Sequence, residues 1–239
     1  MKRVALITGA SRGLGETVAG FLAAQGYDLV ITARDAARLE AAARKLEQQG
    51  GEVVAIAGDI TSAAHRQRLV AATAKLGRLD LLFNGASDLG PSPMPALAEY
   101  DLARLAEVFK ANMLAPLGMV QVALPLLAEW RGLVVNISSD AAVAGYEGWG
   151  GYGASKAALD LISLTLAHEL KDSGVAVVSV DPGDMRTQMH QDAFPGEDIS
   201  DRPLPEVTLP FWAWLLGQEP MKVSGRRYQA QAELWEEAG

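Results

Sequence analysis

Short apolar or β-branched runs alternate with longer amphipathic ones along most of the chain. Val4–Thr8, Leu29–Thr32, Val53–Ala57, Leu79–Phe83, Leu133–Ser138 and Val175–Val180 read as strands. Apolar residues at helical spacing occupy roughly 14–25, 35–49, 62–76, 101–128 and 152–172. The strands lack in–out alternation, as expected of parallel strands covered on both faces. Strand and helix in regular succession predict an α/β fold, a doubly wound parallel sheet of the Rossmann kind with helices on both faces. No flexible linker or solenoid repeat interrupts it, so residues 1–239 are expected to form one domain, with a substrate loop and small helix inserted at about 184–217. Two segments break the rhythm: SDLGPSPMPAL (87–97), and 184–206 with Pro195, Pro203 and Pro205. Both read as loops leaving carboxyl ends of strands, the edge where open α/β sheets bind ligands.

Composition narrows this picture. At 239 residues, 49% of them hydrophobic, a large core is available. Twenty-nine acidic against 21 basic residues give a net charge of −8 with no block of one sign, which argues against nucleic acid as a partner. The absence of cysteine excludes disulfides and thiolate metal sites, and His65, His168 and His190 make no metal-binding spacing. The apolar run in MKRVALITGA stops at Thr8-Gly9, short of a secretory signal, and no apolar run approaches membrane-spanning length; a cytoplasmic protein is expected.

Two stretches suggest chemistry. TGASRGLG (8–15) lies between the first strand and first helix. Glycines there allow a sharp turn and close approach of a ligand, while the helix start offers N–H groups to a phosphate. The spacing G-x-x-x-G-x-G lacks the Lys-Ser/Thr of a P-loop, so ATP or GTP hydrolysis is not indicated. In GYGASKAALD (151–160), Tyr152 and Lys156 stand four apart, on one helical face, among small residues. An isolated Y-x-x-x-K is more often an accident of the surface; here it follows a nucleotide-type turn.

TGASRGLG and YGASK in this order resemble the short-chain dehydrogenase/reductase family in its compact single-domain form, from Val4 to about Thr187. The resemblance implies an oxidoreductase moving a hydride between nicotinamide and a carbonyl or secondary alcohol. By the same resemblance, Gly9, Ser11, Arg12, Gly13, Leu14 and Gly15 cradle the cofactor. Arg34 occupies the place beyond the second strand that selects a 2′-phosphate, with Arg12 as a second cation, so NADP(H) is favoured over NAD(H). Asp35 complicates this, since a slip of one residue would put a carboxylate at the ribose. Asp59 and Ile60 would meet the adenine. FNGAS (83–87) corresponds to the family's N-N-A-G with Phe83 in place of the first Asn, leaving Asn84 and Gly85 near the ribose. Pro182, Gly183 and Thr187 would close over the nicotinamide.

Family spacing selects Ser139, thirteen residues before Tyr152, and Asn112 as further catalytic positions. Hydride transfer to a carbonyl builds an alkoxide that needs a proton donor, and Tyr152 would supply it. Lys156 would favour the phenolate and hold the ribose, Ser139 would polarise the carbonyl, and Asn112 would keep a relay water in line. Tyr146, Trp149, Met185, Met189, Phe194 and Trp212, with Asp140 and Asp184, are candidate substrate contacts. Their apolar character argues against a strongly anionic substrate but leaves ketones, aldehydes, steroids and sugar-derived alcohols open. A homodimer or homotetramer is implied, through the helices near 101–128 and 152–172. The C-terminal SGRRYQAQAELWEEAG departs from the family's glycine-ending strand. A cofactor-binding sensor or scaffold without turnover is the alternative, disfavoured by the complete Asn112, Ser139, Tyr152 and Lys156 set.

Overall fold

A computed structural model describes residues 2–235. Its centre is a seven-stranded, wholly parallel sheet in the order β3-β2-β1-β4-β5-β6-β7. The strands are β1 Val4–Thr8, β2 Asp28–Thr32, β3 Val53–Ala55, β4 Leu81–Asn84, β5 Leu133–Ile137, β6 Ala176–Asp181 and β7 Arg227–Gln229. The helices are α1 Gly13–Ala24, α2 Ala36–Glu47, α3 Ala63–Lys75, α4 Leu102–Phe109, α5 Ala115–Trp130, α6 Gly150–Glu169, α7 Gln188–Ala193, α8 Leu209–Leu216 and α9 Pro220–Val223.

Successive strand residues face opposite sides, so each strand feeds two cores. Ala5, Ile7, Ile31 and Phe83 pack with Val18 and Leu22 of α1, Leu39 and Leu46 of α2, and Phe211 and Trp212 of α8. Leu6, Val30, Leu82 and Val134 pack on the other side with Leu69 of α3, Met119, Val120, Ala123 and Leu127 of α5, and Ala167 of α6. All of these are buried, which explains the absence of polar alternation in the strands.

Three expectations need correction. The pattern at 101–128 is not one regular α-helix: a π turn, Lys110–Leu114, separates α4 from α5 and carries Asn112. By length and composition, Leu102–Trp130 could cross a membrane, contrary to the sequence reading; here its α5 face lies against the sheet. Within 184–206, residues 188–193 form α7, whose first turn is capped by Thr187 Oγ1 accepting from His190 N at 3.2 Å.

Candidate active site

The strand order reverses between β1 and β4, and a cleft of about 430 Å³ opens at the carboxyl ends there. The turn after β1 forms its floor. Gly9 has φ of +75°, and its N–H donates to the Thr32 carbonyl at 2.9 Å, tying the turn to β2. A Cβ on Gly15 would lie 2.3 Å from the Gly9 carbonyl oxygen, so only glycine lets the helix start this close. Gly9, Ser11, Arg12, Gly13, Leu14 and Gly15 all line the cleft. No side chain caps α1, which leaves its first N–H groups available to an anion.

The far end is strongly basic. Arg12, Arg34 and Arg38 all line it. Asp35 also lines this end, but it caps α2, accepting from Arg38 N at 3.0 Å, and pairs with Arg38 Nε at 3.3 Å. The carboxylate that complicated the cofactor reading is thus already engaged. Arg38 was not singled out from sequence, although an Asp three residues before an Arg at a helix start is the local signal for that pair. Asp59 and Ile60 line the next part of the wall. Burial works to raise the Asp59 carboxyl, but hydrogen bonds from Thr61 and the nearby Arg34 and Lys110 charges hold it below its ordinary range.

Tyr152 and Lys156 project from one face of α6 into the same cleft, with Pro182 and Thr187 opposite. Small residues on this helix serve the packing: a Cβ on Gly153 would lie 2.4 Å from the Ala141 carbonyl oxygen. Lys156 Nζ donates to the Ile137 carbonyl at 2.7 Å and sits 5.4 Å from the Tyr152 ring centroid. Burial pushes the phenol up to about 12, with Ser87 acting in the opposite direction and Asp181 and Asp140 adding to the rise. Burial likewise brings the Lys156 ammonium down to about 8, with Asp160 opposing. The shift runs opposite to the expectation that Lys156 draws the phenol toward neutrality: burial dominates, and Lys156 is not among its causes. The phenol holds its proton.

Four expected site residues do not line the cleft. Asn84 is buried within the sheet, its Nδ2 donating to Asn136 Oδ1 at 2.8 Å, while Asn136 Nδ2 donates to Ser163 Oγ at 2.8 Å. Asn84 thus ties β4 to β5 within the sheet, and Gly85, Ala86 and Ser87 form the wall instead. Asn112 is fully buried with all four hydrogen-bonding positions used. Its Oδ1 accepts from Ser87 Oγ and Asp88 N, and its Nδ2 donates to the Asp88 carbonyl and Ser155 Oγ, at 2.7–3.1 Å. Its side chain therefore locks the loop after β4 and has no position left for a relay water. Ser139 sits outside the lining: its Oγ donates to Asp140 Oδ1 at 2.9 Å and accepts from Ala141 N at 3.2 Å. Ser138, not singled out, lines the cleft with a buried Oγ lacking a hydrogen-bond partner among the described residues. Gly183 donates its N–H to Asp181 Oδ1 at 3.0 Å and is covered by Gln231.

Beyond Tyr152 the surroundings are apolar. Trp149 meets Tyr152 edge-on at 5.9 Å between centroids, and Phe194 lies 5.9 Å beyond Trp149. Leu89 and Met94 complete this cluster, and Met185 and Met189 line the cleft. Asp184 is exposed beside His190 and Arg202, and Tyr146 is exposed. Trp212 is not a substrate contact: it packs on Phe83 and Phe211 in the core, its indole N–H donating to Thr208 Oγ1 at 2.8 Å. No cluster of metal-ligating side chains occurs among the described residues.

A parallel sheet with a glycine-lined phosphate turn at its switch point and a buried Tyr–Lys pair defines a nucleotide-dependent oxidoreductase. The family model for short chain dehydrogenases matches residues 3–198, and the chain belongs to that family, whose members bind nicotinamide cofactors. It is 36% identical over 190 residues to serine 3-dehydrogenase of Agrobacterium fabrum, covering 79% of this chain and 74% of the relative. A short chain dehydrogenase from Shigella flexneri complexed with NADP shares 29% identity at a TM-score of 0.87, over 96% of this chain and 97% of the other. One from Escherichia coli complexed with NADPH shares 30% identity, also at 0.87, over 96% and 97%.

Proposed function

We propose that the protein is an NADP(H)-dependent reductase of ketones or aldehydes of largely apolar character, with Tyr152 as proton donor. The observation that carries this reading is that Tyr152 and Lys156 line the same cleft as the glycine turn and Arg12, Arg34 and Arg38. The cleft fits the cofactor on its own terms, because Gly9 and Gly15 let the turn close on itself and on the Gly85–Ala86 backbone while the start of α1 has no side-chain cap. The helix start of α1 would take the pyrophosphate, and Arg12, Arg34 and Arg38 the 2′-phosphate. Asp59 and Ile60 would border the adenine. When bound, the nicotinamide supplies the hydride.

The protein's own groups then deal with the charge that develops on the substrate oxygen. Tyr152 donates its proton to that oxygen. Lys156, still protonated below about 8, would bind the ribose hydroxyls while its Ile137 bond fixes the side chain. Ser139 would stabilise the oxygen once its hydroxyl turns from Asp140. Asn112 acts by holding Ser87, which lowers the proton affinity of the phenol. Thr187 uses its oxygen as a cap acceptor and retains a hydroxyl proton to donate to the cofactor. Trp149, Phe194, Met185 and Met189 favour an apolar substrate body. Exposed Leu114, Leu161 and Leu164 on the π turn and α6 support a homodimer or homotetramer.

The test is an NADPH-consumption screen over a broad carbonyl panel, followed by Tyr152→Phe with the best substrate. NADPH binding should be retained and turnover reduced by roughly a hundred- to ten-thousandfold. Undiminished turnover would refute the assigned donor. A protein that binds NADPH and reduces nothing would be the sensor or scaffold.

A further inference from the structure

The C-terminal segment that departs from the family pattern contributes β7, and Arg227 opens that strand opposite Ser179. Its guanidinium reaches three elements. Nε donates to Asp160 Oδ2 at 3.0 Å, and Nη2 donates to the Ser139 carbonyl at 2.8 Å and to Asp181 Oδ2 at 3.2 Å. Asp160 lies one turn beyond Lys156 on α6. Asp181 ends β6 and accepts from Gly183 N, at the turn beneath the proposed nicotinamide position. The side chains of Arg227, Asp160 and Asp181 are only 24, 16 and 5% exposed.

We propose that Arg227 is a positioning residue for carbonyl reduction, one planar guanidinium that fixes the Ser139 backbone, the Lys156 helix and the Pro182-Gly183 turn relative to one another. The inference rests on the reductase reading above. An ammonium could not replace it, because a lysine lacks a rigid fork directed at two carboxylates and a carbonyl. Its charge matters as well as its shape. Asp160 raises the proton affinity of Lys156, while Asp181 from β6 and Asp140 from the loop after β5 raise that of Tyr152. Ser87, from the loop after β4, opposes them at Tyr152. Arg227 contributes the positive charge against Asp160 and Asp181; without it, two poorly solvated carboxylates would face the Tyr–Lys pair uncompensated.

The experiment compares wild type, Arg227→Gln and Arg227→Lys with the best carbonyl substrate, using kcat and KM from pH 6 to 10. Folding is followed by thermal melting and NADPH affinity by fluorescence titration. In the wild type, reduction should fall as Lys156 loses its proton, near pH 8. Arg227→Gln should lower kcat by roughly ten- to a hundredfold with NADPH affinity little changed. It should also move that limb upward by about one pH unit, because uncompensated Asp160 holds the Lys156 proton. Arg227→Lys should lower kcat but leave the limb in place. Wild-type kcat in either folded variant, or a fall in Arg227→Gln with no movement of the limb, overturns the inference. If Arg227→Gln does not fold, the kcat of Arg227→Lys at unchanged NADPH affinity decides. A wild type that reduces no carbonyl defeats the reductase reading itself, whereas active Arg227 variants defeat only this inference.

Discussion

Lys156→Met should make the protein more stable at neutral pH while removing its activity. Lys156 is 2% exposed and titrates at about 8 instead of 10.5. At about 1.36 kcal/mol per pH unit, keeping it charged in the fold costs about 3 kcal/mol. That figure reflects burial opposed by Asp160, and the bond to the Ile137 carbonyl is counted separately. Methionine removes the charge at similar length but leaves the carbonyl oxygen without its donor, a loss of about 1–2 kcal/mol. The net expectation at pH 7 is a gain of about 1–2 kcal/mol. Its pH dependence follows from linkage. The folded pKa lies below the unfolded one, so between about 8 and 10.5 the unfolded wild type binds more protons and its relative stability rises with pH. The penalty is complete below about 8 and gone by 10.5, so the advantage of the methionine protein should shrink across that window and then reverse. Urea unfolding of both proteins at pH 7, 8, 9 and 10 measures the difference, in which groups common to both largely cancel. A methionine variant less stable at pH 7, or a difference flat with pH, would show that burial of the ammonium has been misjudged.

Asn112→Ala should strip partners from both backbone groups of Asp88 and from two hydroxyls, costing about 3 kcal/mol. In a chain of this size the melting temperature should drop by about 6–12 °C, and a shift within 2 °C by circular dichroism would contradict the four-bond account. Arg34→Ala should weaken NADPH binding by roughly ten- to a hundredfold, the equivalent of one charge-assisted hydrogen bond, and leave NADH nearly unchanged. Equal losses for the two cofactors in a fluorescence titration would remove Arg34 from the 2′-phosphate site.

The sheet was legible because its strands are short and apolar throughout; β1 runs from Val4 to Thr8 in both readings. Strand edges were less so. Leu79 is fully buried although β4 begins two residues later, and burial, not pairing, is what an apolar run records. A small helix is expected within 184–217, but its position at α7 is not legible, because six residues show no period and the cap is a single threonine. The π turn escaped notice because adding one residue to a helix barely alters the apolar pattern, while it shifts the helical faces on either side. The glycine turn and the Tyr152–Lys156 pair were visible because each is local, made by neighbours along the chain. Ser87, Arg227 and the Asn84–Asn136–Ser163 chain depend on residues far apart in sequence, which spacing cannot report. The fate of the serine pair also belonged to the fold, which turns Ser138 inward and Ser139 toward Asp140.

The distribution of the indoles has an optical consequence. Trp212, Trp214 and Trp235 gather around Phe211, and Trp130 lies under the Arg78 guanidinium. Trp149 stands apart from them, edge-on to Tyr152. Reduced nicotinamide absorbs where indole emits, so Trp149 is placed to pass its excitation to the coenzyme. Replacing the other four with phenylalanine would leave a built-in reporter of coenzyme arrival that requires no added dye.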